Sequence, residues 1–167
     1  MHQKDNGIIN AQQIQIVDAQ GRIRMILGVT QEGQAAISMS NQYGMTQIEL
    51  GLAEDSMPFL RLRDTEGIPR ITMSASDNGV TAATFSDGQG HVRFSVMVTP
   101  NGDASIGLPD ETGCARLLLQ SNNVEGTNVV LVDDEGKPRL AAQVTRGGIA
   151  KASIYDRDGT CSETSSS

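Results

Sequence analysis

Apolar and polar residues alternate along most of this chain, and the alternation repeats in register every 23 residues. One apolar column reads Ile14, Ile37, Leu60, Ala83, Ile106, Val129 and Ala152; two residues on, the next reads Ile16, Met39, Leu62, Phe85, Leu108, Leu131 and Ile154. Polar residues such as Gln15, Ser38, Arg61, Thr84 and Ser153 stand between them. Each repeat then carries a second alternating run, seen in Met25, Leu27 and Val29 or in Phe94, Val96 and Val98. A period of two places successive side chains on opposite faces of a strand. The pattern therefore predicts two strands per repeat, about 14 in all, with one dry face and one wet face, and no helix.

Two turn signals separate the runs. Gly21, Gly44, Gly67, Gly90, Gly113, Gly136 and Gly159 fall 23 residues apart. Asp18, Asn41, Asp64, Asp87, Asp110, Asp133 and Asp156 precede them by three, and Arg24, Gln47, Arg70, Arg93, Arg116 and Arg139 follow the first six by three, giving the motif Asp-x-x-Gly-x-x-Arg. Twelve residues after those six glycines stand Gly33, Ser56, Gly79, Gly102, Glu125 and Gly148, often with Thr or Ser three residues earlier. The even spacing from Val29 to Ile37 predicts a three-residue loop ending in a left-handed Gly. The odd spacing from Ile16 to Met25 requires a loop of two or four residues, and four, Ala19 to Arg22, is expected because pairs such as Ala19-Gln20 resist the positive φ of a type I′ turn; the Asp bonds backbone amides within it. Repeat two, with Asn41 and Gln47, and repeat five, with Glu125 at the Gly position, are expected to be locally distorted.

Two all-β architectures share this pattern: an antiparallel meander and, as the alternative, a β-solenoid with one repeat per coil. Stacked coils would bring the Arg column to about 4.8 Å spacing, whereas a meander spaces like columns about twice as far apart. Like charges that close are unfavourable, so the meander is preferred. A 14-stranded barrel would leave a lumen these side chains cannot fill. The dry face is therefore expected to meet other copies, as a trimeric prism or fibre in preference to a sandwich. The repeats span 13–159, with 1–12 a lead-in whose Ile8 and Ile9 suggest a short strand, and 160–167 a Ser-rich tail expected to be disordered.

Composition removes several functions. The chain of 167 residues carries a net charge of −7, which opposes nucleic-acid binding because phosphates need a basic surface. No run is long and apolar enough for a membrane helix. The start Met-His-Gln-Lys-Asp-Asn-Gly lacks the apolar core of a Sec signal, so a cytoplasmic location or a non-Sec route is expected. His2 and His91 are the only imidazoles and Cys114 and Cys161 the only thiols, so a zinc centre, a histidine-dependent active site and a structural disulfide are not expected. The turn aspartates lack the 6–8 converging oxygens that Ca²⁺ requires. No catalytic residue, metal or cofactor is assigned.

The segments Ile16 to Gly28 (IVDAQGRIRMILG) and Leu131 to Leu140 (LVDDEGKPRL) resemble the tandem repeats of uncharacterised bacterial proteins built from 23-residue Asp-x-x-Gly-x-x-Arg β-units. The resemblance covers nearly the whole chain and implies no activity, cofactor or catalytic residue. The repeat also has the length of MORN repeats but lacks their Tyr and Trp positions. The expected function is thus non-enzymatic: a self-assembling structural fibre or scaffold, with the chain itself as partner. The alternative is a module that binds a glycan or protein through its polar face, where Arg61, Arg63 and Tyr43 are the candidate ligand-facing residues.

Overall fold

The structure is a computed structural model that describes residues 9–30, 32–53 and 55–165. Fourteen strands form one antiparallel sheet in which spatial order equals chain order. The strands are β1 (Gln13–Val17), β2 (Ile23–Val29), β3 (Ala35–Ser40), β4 (Thr46–Leu52) and β5 (Pro58–Arg63). They continue with β6 (Pro69–Ala75), β7 (Thr81–Ser86), β8 (Val92–Val98), β9 (Ala104–Pro109) and β10 (Ala115–Asn122). The last four are β11 (Gly126–Val132), β12 (Pro138–Val144), β13 (Ala150–Tyr155) and β14 (Cys161–Ser165). The described residues contain no helix. Every strand reverses into the next, so the chain is a meander. Phe85 pairs antiparallel with Phe94 across β7 and β8, their rings 5.3 Å apart, as a hairpin requires.

The two kinds of turn lie on opposite long edges of the sheet and share one backbone design. At the Thr turn between β2 and β3, Thr30 N–H donates to Gln34 O at 2.8 Å and Gly33 N–H to Thr30 O at 3.0 Å. At the Asp turn between β1 and β2, Asp18 N–H donates to Arg22 O at 2.9 Å and Gly21 N–H to Asp18 O at 2.9 Å. Both therefore close three-residue loops, and the seven Gly residues of the Asp turns have φ between 78° and 90°. This corrects the four-residue loop expected for the Asp turns. The odd residue is absorbed one step later, in a β-bulge.

Pairing runs Val17↔Ile23 and then Ile16↔Met25, leaving Arg24 as the extra residue. The same shift leaves out Gln47, Arg70, Arg93, Arg116 and Arg139 in the next five Asp hairpins. Without the bulge each of these side chains would sit opposite a dry-face residue such as Ile16, because directly paired residues share a face. The bulge turns the arginine out and brings the following apolar residue in. The seventh Asp hairpin tests the rule within the chain. Ser162 occupies the Arg position there, no bulge forms, and Ser162 pairs directly with Ile154.

Three further expectations meet the structure. Cys161–Ser165 is not a disordered tail but a fourteenth strand, hydrogen-bonded to β13 although it lacks apolar alternation; residues 166 and 167 lie outside the described residues. Ile9 is in no strand, and Ile8 lies outside the described residues. Repeat two keeps its Asp-type turn, because Asn41 Oδ1 accepts the N–H groups of Tyr43 and Met45 at 2.9 and 3.1 Å, as an aspartate does. Repeat five is distorted as expected. Its left-handed glycine is Gly126, one residue late, with φ 105°, and Asn122 pairs with Gly126 around the loop.

Candidate assembly face and its charged edge

One face of the sheet is apolar almost throughout, in three rows that run across the strands. The central row includes Leu27↔Ile37, Leu50↔Leu60 and Leu119↔Val129. The row beside the Asp turns is bulky, with Met25↔Met39, Ile48↔Leu62, Phe85↔Phe94 and Leu131↔Leu140. The row beside the Thr turns is smaller, with Val29↔Ala35, Ala75↔Thr81, Val98↔Ala104 and Val144↔Ala150, and with Leu52↔Pro58 as its one bulky pair. Two open hollows lie on this face toward its small row. One of about 650 Å³ is bordered by Leu119, Val129, Ala142 and Ala150, and one of about 430 Å³ by Leu60, Met73, Ala75 and Ala83.

Nothing among the described residues covers this face. No hydrophobic side chain is buried among the described residues, and Leu50 remains 50% and Val29 55% exposed. The chain exposes 11739 Å², against about 8,000 Å² for a globular monomer of its mass. Exposed apolar patches on monomers rarely exceed ~300–600 Å². This face, thirteen strand spacings of ~4.8 Å long and about 20 Å wide, is roughly 1,200 Å².

The edge carrying the Asp turns is a ladder of paired charges. Within each turn the carboxylate acts as a cap: Asp18 Oδ1 accepts the N–H groups of Gln20 and Arg22 at 3.0 Å each, and Asp64, Asp87, Asp110 and Asp133 repeat the arrangement. At the seventh turn Asp158 takes a similar part, accepting Thr160 N–H at 2.9 Å, beside Asp156 and Gly159. The bulged arginine then returns to the carboxylate of its own turn. Arg24 lies 3.5 Å from Asp18, Arg70 3.4 Å from Asp64, Arg93 3.9 Å from Asp87 and Arg116 2.6 Å from Asp110, and Arg139 pairs with Asp133.

The same guanidinium groups reach the next turn along the edge. Arg24 Nε donates to Ser40 O at 3.0 Å and Arg70 Nε to Ser86 O at 2.8 Å, while Arg116 and Arg139 donate to the carbonyls of Asp133 and Asp156. Arg24, Arg70, Arg116 and Arg139 thus each join two turns that are 23 residues apart in sequence. The surroundings hold the carboxyls of Asp18, Asp87, Asp110, Asp133 and Asp158 below the usual range. For Asp110 the Thr112 hydroxyl leads, opposed by partial burial and aided by the Thr112 and Cys114 amides and Arg116, and the value falls to about 2. For Asp133 the Lys137 amide leads. For Asp18 and Asp87 partial burial acts upward but is outweighed by amide donors, with Arg22 and His91 adding charge.

The residues singled out for ligand binding are not presented together. Arg61 and Arg63 lie on the second face of β5, and both engage Glu49 of β4, at 3.1 and 3.4 Å. Arg63 also donates to Gly67 O at 3.1 Å, and the Arg61 guanidinium stacks on Phe59, 4.8 Å from the ring centre. Tyr43 stands instead on the turn between β3 and β4, 80% exposed. Register was the missing signal, since Glu49 pairs directly with Arg61 across the strands. The second face also changes character along the sheet. From β4 to β12 its central row reads Glu49, Arg61, Thr72, Thr84 and Ser95, then Gly107, then Leu118, Val130 and Ala141.

Among the described residues no group of three or more His, Cys, Asp or Glu side chains is placed to hold a metal ion. Cys114 and Cys161 are free thiols, and among the described residues no helix is long and apolar enough to cross a membrane. No protein-family model matches the chain, and no curated protein sequence matches it.

Proposed function

We propose that this chain is a non-enzymatic structural protein, an elongated β-repeat element that assembles with copies of itself, as a trimeric prism, into a fibre or scaffold. One observation carries the reading: a continuous apolar face of roughly 1,200 Å² in a chain with no buried hydrophobic side chain among its described residues. A stable protein interface needs ~800 Å² per partner, so the face is large enough to hold copies together. Copies supply what the face lacks, because their own apolar rows are of equal length. The capped turns and paired arginines along one edge support a scaffold, since they are equivalent from repeat to repeat and an active site breaks such equivalence.

Light scattering on the purified protein at micromolar concentration tests the proposal. The expected mass is three times the 17.7 kDa chain. A monodisperse folded monomer would overturn it.

A further inference from the structure

We infer that the copies associate in parallel, with their N-terminal hairpins at the same end, the bulky row of one chain seated in the hollows of the small row of the next. This inference rests on the self-assembly proposed above and adds its direction. The dry face is graded across its width. Beside the Asp turns, Ile16, Met39, Leu62, Phe85 and Phe94 supply large side chains on β1, β3, β5, β7 and β8, whereas beside the Thr turns Ala35, Ala75, Thr81, Ala104 and Ala150 supply small ones, with Leu52 and Pro58 the exception. The two hollows on this face border the small row.

Symmetry converts this grading into a direction. When sheets are related by rotation about an axis along the fibre, the Asp-turn edge of each chain comes beside the Thr-turn edge of its neighbour, so the bulky row meets the smaller row along the fibre. A two-fold axis parallel to the strands instead lays bulky on bulky and small on small, and reverses the chain direction. The first arrangement seats large side chains in the hollows; the second sets the hollows against the small row of the copy and crowds Phe85 and Phe94 against the same pair in the copy. Interfaces between chains pack to the density of protein interiors, which favours the first. The same rotation closes at three copies, and the contact between neighbours is heterologous.

Intermolecular electron–electron distances between spin labels decide the question. In a Cys114→Ser, Cys161→Ser background, Gln20→Cys places a label on the first Asp turn and Gln89→Cys one on the fourth, near the middle of the sheet. Light scattering on each labelled protein reports the assembly separately from its direction. In a parallel assembly both positions give distances below about 40 Å, set by the ~20 Å strand length and the label arms. In an antiparallel pair Gln89 stays close to its copy, while the Gln20 labels stand about twelve strand spacings apart, roughly 58 Å. Short distances at both positions support the inference. A long Gln20 distance with an oligomeric mass overturns the direction and leaves the assembly standing, and long distances at both positions also overturn it by showing copies slid along the axis. A monomeric mass overturns both readings.

Discussion

At the scale of single residues, the hairpins are held by a side-chain oxygen that closes the loop and by a residue that accepts positive φ. Asn41 performs the first task as well as aspartate does, and Ser56, with φ 62°, stands where the neighbouring repeats have glycine. A left-handed conformation costs a side-chain-bearing residue ~1–2 kcal/mol, partly offset by the greater flexibility of an unfolded glycine. Ser56→Gly is therefore expected to stabilise by about 0.5–1 kcal/mol, raising Tm by roughly 1–4 °C in a thermal melt. The turn carboxyls give a second prediction. A carboxyl lowered in the folded state contributes stability that is complete above its unfolded value, 3.8 for Asp110, and is lost as pH falls toward its folded value of about 2. Melts taken between pH 5 and pH 2 should show Tm level at first and then falling. Asp110→Asn, which keeps an Asn41-like cap, should reduce the fall; an unchanged acid limb in that variant would remove Asp110 from its cause.

At the scale of the element, the unit is a hairpin with a three-residue loop and, wherever Arg or Gln follows three residues after the glycine, a bulge. Much of this was legible in the sequence, since alternation located nearly all of the strands and the 23-residue period located the turns. The odd distance from Ile16 to Met25 revealed an extra residue but not its place, because a longer loop and a bulge satisfy parity equally well. Only the backbone pairing Asp18 to Arg22 separates them. β14 escaped because backbone hydrogen bonds to β13 suffice to order an edge strand that has no apolar column. The pairing of Arg61 and Arg63 with Glu49 escaped because it depends on cross-strand register, which spans a turn. The irregular fifth repeat gives the sharpest test at this scale. A Cβ on Gly126 would run into the backbone carbonyl of Val144, whereas one on Gly113 meets nothing within 4 Å. Both have positive φ, so Gly113→Ala should cost about 1–2 kcal/mol from backbone strain alone, and Gly126→Ala about 2–4 kcal/mol as the β11–β12 pairing is forced apart. Equal losses in denaturant titrations would mean that the β11–β12 strands part without resistance.

At the scale of the whole molecule, the described residues form one layer of sheet, and the proposed assembly supplies the second layer from other copies. A single sheet has a hydrogen-bonded surface but no interior, and in the proposed assembly its stability depends on how many copies are present. If copies cover the apolar face, Tm should rise with protein concentration, because association draws the folded state forward by mass action. The two faces should also respond oppositely to charge. Phe94 lies in the bulky row against Phe85, while the next residue, Ser95, lies on the opposite face opposite Thr84. An aspartate at position 94 would be driven into the interface, where an unpaired buried charge costs several kcal/mol and is repeated in every copy. An aspartate at position 95 would stand in a row that already holds Glu49 and Arg61. Phe94→Asp is thus expected to run as a smaller, unassembled species by light scattering and to aggregate or unfold on warming, while Ser95→Asp keeps the mass of the parent protein. If Phe94→Asp kept the parent mass, or if Ser95→Asp broke the assembly as completely, the apolar face would not be the surface that joins the copies.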